Sequence, residues 1–172
     1  MLLDVDRRID LIKHYRNKEK YGYCGPACIQ ISLSALGIQV DQDTLAEIGG
    51  FTTHWGVDHH GLKRMADKYA FGFPVLGESL DVLGQISINY PVTLNIMDLD
   101  EKNPNIYEDG HYVVLFGVDS KGVYYLDPSS DQTSEPIKKP RAEFEDMLWW
   151  DIDKNGVIIK KWALAIFPSL IT

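Results

Sequence analysis

The chain has 172 residues, 45% of them hydrophobic, and a formal net charge of −8 at pH 7. This length suits one domain with its own core, so we expect a single domain over residues 1–172. The acidic balance argues against nucleic acid or an anionic membrane as a partner, because phosphate groups are bound by basic patches. With no membrane segment or secretory signal in the sequence, and only two cysteines, we expect a cytoplasmic protein with reduced thiols.

The first half of the chain is predicted to be mainly helical. Apolar residues at helical spacing predict a first helix over residues 4–16. A second, buried helix is predicted over Pro26–Leu36, because proline suits a first helical turn and Gly37 suits a C-terminal stop. Three further helices are predicted at Asp43–Ile48, Leu62–Tyr69 and Ser79–Ile88.

Strands are predicted mainly in the second half. The β-branched and apolar runs are Pro91–Met97, His111–Val118, Val123–Leu126 and Trp162–Phe167. Asp119–Gly122 is a turn that makes the middle two runs a hairpin. The acidic stretch Asp98–Asp109 is predicted to be a surface loop that leads into the strand of His111. Helices followed by strands indicate an α+β fold.

Cys24 lies where the Gly25-Pro26 turn passes into the second predicted helix. Unpaired N–H groups and the positive end of the helix dipole favour a thiolate at such a position, and the thiolate is the nucleophilic form. Cys28, four residues further on, is interpreted as a packing residue, with a resolving thiol under oxidation as the alternative.

His111 and Asp127 can supply the base and the orienting carboxylate that a cysteine nucleophile needs. In an antiparallel hairpin, the start of one strand and the end of the next lie at the same edge. Taken singly, each residue has a structural explanation: a packed cysteine, a satisfied histidine and an Asp-Pro turn. From spacing alone, a catalytic triad and three structural residues both stay open.

His54, Asp58, His59 and His60 are residue types that bind zinc or nickel. Adjacent histidines point apart on a regular element, and no thiol lies nearby in the sequence. We therefore interpret Thr52–His60 as a loop near a substrate cleft, and we expect neither a metal nor a cofactor.

Several short motifs occur in a characteristic order. They are Cys24-Gly-Pro-Ala-Cys28, Gly56, Gly61-Leu62, Ala66-x-x-Tyr69, Tyr90-Pro91-Val92, Gly110-His111-Tyr112-Val113-Val114 and Leu126-Asp127-Pro128. Over residues 21–130 this arrangement resembles the C39 peptidase family. The best-known members of that family are papain-like cysteine protease domains of bacteriocin exporters, which cut leader peptides after a double glycine. Free-standing C39-like proteins of varied activity also exist.

The resemblance implies a papain-like α+β architecture, with N-terminal helices packed on a C-terminal antiparallel sheet. It implies a cysteine peptidase with Cys24 as nucleophile, His111 as general base and later acid, and Asp127 orienting the imidazole. The substrate would be a peptide or protein, cleaved through a thioester.

The family pattern also expects a glutamine six positions before the nucleophile, as an oxyanion donor. That position is Lys18, and no glutamine precedes Cys24. Lys18 or Asn17 could supply the donor, or the backbone N–H of Cys24 could act alone.

Two alternatives to a peptidase stay open. The first is a catalytically weak or inactive peptide-binding module, which the missing glutamine favours and the complete Cys-His-Asp set opposes. The second is a deamidase or transferase that applies the same thioester chemistry to a side-chain amide. The sequence leaves the physiological substrate and the oligomeric state open.

Overall fold

A six-stranded antiparallel sheet separates two layers of helices in the computed structural model, which describes residues 6–99, 107–129 and 131–169. The helices are α1 (Arg8–Lys13), α2 (Cys24–Ala35), α3 (Gln42–Gly49), α4 (His59–Tyr69), α5 (Leu80–Asn89) and α6 (Arg141–Glu143), which continues as a π-helical turn over Phe144–Leu148. The strands are β1 (Phe71–Leu76), β2 (Val92–Leu99), β3 (Tyr107–Val118), β4 (Val123–Leu126), β5 (Ile137–Lys139), β6 (Trp150–Ile152), β7 (Ile158–Lys160) and β8 (Trp162–Phe167). The strand order in the large sheet is β1-β8-β2-β3-β4-β5, and β6 and β7 form a separate hairpin.

Helix α2 is the central helix of the fold. It begins at Cys24, two residues before the predicted start at Pro26. Pro26 fits its first turn because the first N–H groups of a helix need no partner inside it. Nearly all of α2 is buried, as expected of a helix that is apolar on every side.

Helix α4 begins at His59, three residues before the predicted start at Leu62. The reason is a side-chain cap, since the Asp58 carboxylate accepts a hydrogen bond of 2.8 Å from the N–H of Gly61. Gly61 also allows α4 to approach α3 closely, because a Cβ there would lie 2.2 Å from the carbonyl oxygen of Gly49. The predicted loop Thr52–His60 therefore ends inside a helix.

Alternation along β3 divides its side chains between two cores. Tyr112 and Val114 face the core that contains α1 to α4. Val113 and Leu115 face the second core, where α5 and the π-helical turn pack. Trp149, almost completely buried, belongs to this second core. The sheet is thus buried on both faces, which makes β3 a rigid support for His111.

The α+β, papain-like fold class is confirmed, with N-terminal helices packed on an antiparallel sheet. The predicted β3–β4 hairpin is also confirmed, since Val118 pairs with Val123. Helix α1 is shorter than predicted, and residues 4 and 5 of that prediction lie outside the described residues. The prediction of a single domain over residues 1–172 stays a prediction. None of the helices in the described ranges is long and apolar enough to cross a bilayer.

Some strands were missed or misplaced by the sequence analysis. Strand β1 was missed because it contains a glycine and a proline, which are uncommon inside strands. A sheet edge tolerates both residues, and β1 is an edge strand paired only with β8 within the described sheet. The predicted loop Asp98–Asp109 is wrong at both ends, because β2 extends to Leu99 and β3 begins at Tyr107. Residues 100–106 of that prediction lie outside the described residues.

Candidate active site

Three elements bring Cys24, His111 and Asp127 together. Cys24 is the first residue of α2, His111 lies within β3, and Asp127 directly follows β4. The sequence analysis placed His111 at the start of its strand. In the structure His111 lies inside β3, because residues that precede it already pair with β2. Strand β4 ends at Leu126, opposite Val114, so β3 extends past it towards His111. The start of α2 packs at this point.

The absence of a side chain at Gly25 permits this packing. A Cβ at Gly25 would lie 2.7 Å from Cδ1 of Leu62 and 3.4 Å from the ring of Tyr112. The start of α2 therefore lies directly against β3, and the backbone N–H of Tyr112 donates a hydrogen bond to the sulfur of Cys24. This contact places the thiol next to the histidine that precedes Tyr112.

His111 contacts both partners. Its Nε2 lies 2.7 Å from Oδ1 of Asp127, and its ring also hydrogen-bonds the thiol of Cys24. Because Nε2 is bonded to Asp127, Nδ1 is the nitrogen that remains for the thiol. The His111 residue is only 7% exposed, whereas Cys24 is partly exposed. The residue that carries the thiol therefore reaches the surface, while the imidazole is enclosed.

The protonation states follow from these contacts. Burial raises the pKa of Cys24, but the hydrogen bond and charge of His111, the N–H of Tyr112 and the charge of Lys18 outweigh it, so the pKa lies below 9.0. Burial lowers the pKa of His111, but the hydrogen bonds to Asp127 and Cys24 raise it to about 10. Both shifts favour a thiolate beside an imidazolium, the activated form of a cysteine nucleophile.

Asp127 is fixed by two residues that the sequence analysis missed. The N–H of Ser129 donates to Oδ1 of Asp127 at 2.8 Å, and the hydroxyl of Tyr15 donates to its backbone carbonyl at 2.5 Å. Burial raises the pKa of Asp127, but the hydrogen bond and charge of His111 and the bonds from Ser129 bring it below 3.8. The Asp-Pro-Ser sequence is a signal for the turn to Ser129. Tyr15 carries no local signal, because its partner is 112 positions away.

The side chain of Asn17 faces the loop after β4. Its Nδ2 lies 2.7 Å from the carbonyl oxygen of Ser129, 3.0 Å from that of Gln132 and 3.1 Å from the hydroxyl of Tyr15. These acceptors engage the Asn17 amide, so it is directed at this loop and away from a substrate carbonyl at Cys24.

Lys18 is placed differently. Its backbone N–H donates to the carbonyl of Pro128 at 2.6 Å, next to Asp127. Residue Lys18 is half-buried; its ammonium lies 6.0 Å from the ring centre of Tyr21, and its positive charge lowers the pKa of the Cys24 thiol. Of the two predicted oxyanion donors, Lys18 is the one that influences the pKa of the thiol, through its positive charge.

The histidine-rich segment shows packing contacts. The ring of His59 stacks on Trp162, with 4.1 Å between ring centres and 7° between planes, and its Nε2 lies 3.0 Å from Oδ1 of Asn95. His60, by contrast, is exposed. Within the described ranges, no group of three or more His, Cys, Asp or Glu side chains is arranged to hold a metal ion.

Cys28 lies one turn below Cys24 and has no exposed surface. Burial raises its pKa well above 9.0, so its thiol stays protonated near neutral pH. Full burial agrees with the predicted packing role.

The fold and its relatives define a papain-like, C39-type peptidase architecture. Residues 9–157 match the family model described as the Peptidase_C39 like family, and the chain belongs to that family. This confirms the resemblance inferred from the motifs.

A curated relative is the lactococcin-G-processing and transport ATP-binding protein LagD of Lactococcus lactis subsp. lactis, 26% identical over 134 residues. The match covers 78% of this chain but 18% of that relative, so the chain spans about a fifth of its length. The remaining length of that protein has no counterpart in this alignment.

Three solved structures share the fold. A C39-like peptidase from Bacillus anthracis has a TM-score of 0.65 at 22% identity, covering 88% of this chain and 92% of that one. The peptidase domain of Streptococcus ComA, an ABC transporter involved in quorum sensing, has a TM-score of 0.65 at 16% identity, covering 91% of this chain and 100% of that one. A double glycine motif protease from an AMS/PCAT transporter, in complex with the leader peptide, has a TM-score of 0.61 at 17% identity and 89% coverage of both chains.

Proposed function

We propose that this protein is a cysteine peptidase in which Cys24 is the nucleophile, His111 the general base and acid, and Asp127 the residue that orients the imidazole. The observation that carries the proposal is the continuous set of hydrogen bonds from the Cys24 thiol through His111 to Asp127, 2.7 Å at its second link. Membership in the Peptidase_C39 like family supports it independently.

In the acylation step, the Cys24 thiolate attacks the carbonyl carbon of the scissile peptide bond. The carbonyl oxygen becomes an oxyanion next to the start of α2, where backbone N–H groups lack helical partners. The tetrahedral intermediate then collapses, the C–N bond breaks, and the imidazolium of His111 gives its proton to the leaving amine. The products are a thioester on Cys24 and a free amine.

In the second step, His111, now neutral, takes a proton from a water molecule. The resulting hydroxide attacks the thioester, the C–S bond breaks and the acid product is released, which leaves the Cys24 thiolate beside the protonated His111, the starting ion pair. Asp127 keeps the ring in one orientation throughout, because its pKa leaves it ionised at neutral pH.

Lys18 is proposed as the charged donor that replaces the amide expected in the oxyanion hole. Its charge supports this role, since it lowers the pKa of the Cys24 thiol, whereas the Asn17 amide binds the loop after β4. A lysine ammonium offers three N–H donors but is a mobile point charge, so it stabilises an oxyanion with less geometric precision than a fixed amide.

The proposed substrate is a peptide, of the leader-peptide type. A structural relative is a double glycine motif protease in complex with the leader peptide, and a curated relative is a processing and transport protein. A cytoplasmic location remains part of this proposal. A peptide containing a double glycine is the first substrate to test, and identification of the products separates peptide-bond cleavage from side-chain deamidation or transfer.

The first test is alkylation of Cys24 by iodoacetamide as a function of pH, measured by mass spectrometry of its peptide. Wild type should label quickly well below pH 9.0, the ordinary pKa of the thiol. His111→Ala should lose this low-pH reactivity. His60→Ala is the matched control because His60 is exposed, and Cys28 is a slow internal reference because it is buried.

Slow labelling with an ordinary thiol profile in both wild type and His111→Ala would refute the activated pair. The alternative, a peptide-binding module, would then be preferred, and the missing glutamine is the observation in its favour. For such a module, Cys24→Ala should bind the double-glycine peptide as wild type does, and wild type should leave the peptide intact.

A further inference from the structure

Gln42, in the first turn of α3, is a completely buried polar residue that the proposed mechanism does not use. Its Oε1 accepts a hydrogen bond of 2.9 Å from the backbone N–H of Glu19, and its Nε2 donates to the carbonyl of Asn17 at 2.9 Å. Nε2 also donates to Oε1 of Gln30, on α2, at 3.0 Å. The two backbone groups that Gln42 binds belong to the residues on either side of Lys18.

The next residue of α3 binds the rest of this segment. Oδ1 of Asp43 accepts a hydrogen bond of 2.7 Å from the hydroxyl of Tyr23 and also binds the ammonium of Lys20. Tyr23 immediately precedes Cys24. The first turn of α3 is therefore bonded to the segment 17–23 near both of its ends.

The opposite side of the segment is bonded as well. The N–H of Lys18 donates to Pro128, and the side chain of Asn17 donates to Ser129 and Gln132, all in the loop that follows Asp127. The backbone around Lys18 thus lies between α3 and this loop: the carbonyl of Asn17 and the N–H of Glu19 bind Gln42, and the N–H of Lys18 binds the loop. The Lys18 ammonium lies 6.0 Å from the ring centre of Tyr21, and its charge lowers the pKa of the Cys24 thiol.

We propose that Gln42 is a positioning residue, which binds the peptide groups on both sides of Lys18 and thereby fixes the backbone from which the Lys18 side chain acts on the site. This inference depends on the proposed function, in which Lys18 replaces the oxyanion amide. A neutral amide is required at position 42, because one partner is an N–H donor and the other a carbonyl acceptor. A carboxylate can satisfy only the donor, and an apolar side chain satisfies neither.

The test is a double-mutant cycle of Gln42→Met and Lys18→Met, with the pH profile of Cys24 labelling as the readout. Removing a nearby positive charge raises a thiol pKa, and a shift of one unit is about tenfold in thiolate below the pKa. We expect Lys18→Met to slow low-pH labelling by up to about tenfold on this basis, and Gln42→Met to slow it by a similar factor. Gln42→Met should add no further loss when Lys18 is already methionine.

Equal slowing by Gln42→Met in both backgrounds would overturn the inference, because the effect would then not pass through Lys18. A wild-type labelling profile in Gln42→Met would also overturn it. Gln85→Met is the matched control, since Gln85 is exposed on α5, on the other face of the sheet.

A variant of nearly the same shape guards against misfolding of Gln42→Met. Gln42→Glu keeps both backbone bonds while its buried carboxyl is protonated and loses the donor to Asn17 as it ionises, so its labelling relative to wild type should fall towards that of Lys18→Met as pH rises. Labelling needs no turnover, so the two failures differ. An unactivated thiol in wild type contradicts the proposed function, whereas an activated thiol with additive variants contradicts the role of Gln42 alone.

Discussion

Replacing Asp127 by asparagine removes one charge from the site and leaves its shape almost unchanged. Oδ1 of Asp127 accepts from Nε2 of His111 at 2.7 Å and from the N–H of Ser129 at 2.8 Å, and an asparagine oxygen can accept both bonds. The side chains of Asp127 and His111 are 16% and 9% exposed, so little solvent screens the charge. The variant therefore isolates the effect of the carboxylate charge on the imidazolium.

The magnitude follows from the strength of these bonds. A hydrogen bond between charged partners contributes about 1 kcal/mol more than a neutral one. One pKa unit corresponds to about 1.4 kcal/mol. Asp127→Asn should therefore lower the pKa of His111 by about one unit and reduce the equilibrium constant for the thiolate–imidazolium pair over the neutral pair about tenfold. Asp127→Ala leaves Nε2 of His111 and the N–H of Ser129 without an acceptor, and the loss should reach about a hundredfold or more.

The assay is the alkylation rate of Cys24 across the pH range, measured on its peptide by mass spectrometry. The low-pH rate should fall in the order wild type, Asp127→Asn, Asp127→Ala. Asp146→Asn is the control because Asp146 is exposed on the π-helical turn. Identical profiles for wild type and Asp127→Asn would refute the reasoning, since the carboxylate charge would then have no influence on the ion pair.

Three further predictions use other parts of the structure. Peptidase activity should rise with pH as Cys24 ionises below pH 9.0, and it should fall as pH increases through about 10, because the imidazolium of His111 is deprotonated there. Activity that keeps rising above that pH would contradict this assignment. Ser79→Ala removes the side-chain cap of α5 and should reduce the free energy of unfolding by about 1 kcal/mol without changing Cys24 labelling, and an unchanged melting temperature would contradict the cap. Gly61→Ala places a methyl group 2.2 Å from the carbonyl oxygen of Gly49 and should reduce the free energy of unfolding by about 1–3 kcal/mol, measured by thermal unfolding. A variant as stable as wild type would show that α3 and α4 can move apart without cost.

The secondary structure around the site was largely predictable, because its signals are local. Runs of β-branched and apolar residues indicated β3 and β4, and the turn residues between them indicated the hairpin that the structure contains. Strand β1 was not predictable in this way. Its partner is β8, which begins 86 positions after β1 ends, and its glycine and proline carry a turn signal locally.

The candidate nucleophile, base and carboxylate came from the sequence alone, since Cys24, His111 and Asp127 stand in short motifs. Their mutual contacts, and the roles of the surrounding polar groups, depended on tertiary structure. Asn17 and Lys18 are adjacent and both were candidate donors in the sequence, but only the fold shows that the Asn17 amide binds the loop after β4 and that the Lys18 charge lowers the pKa of the thiol. Gln42, 25 positions from Asn17, gave no signal, because a hydrogen bond between distant residues depends on helix packing and strand register.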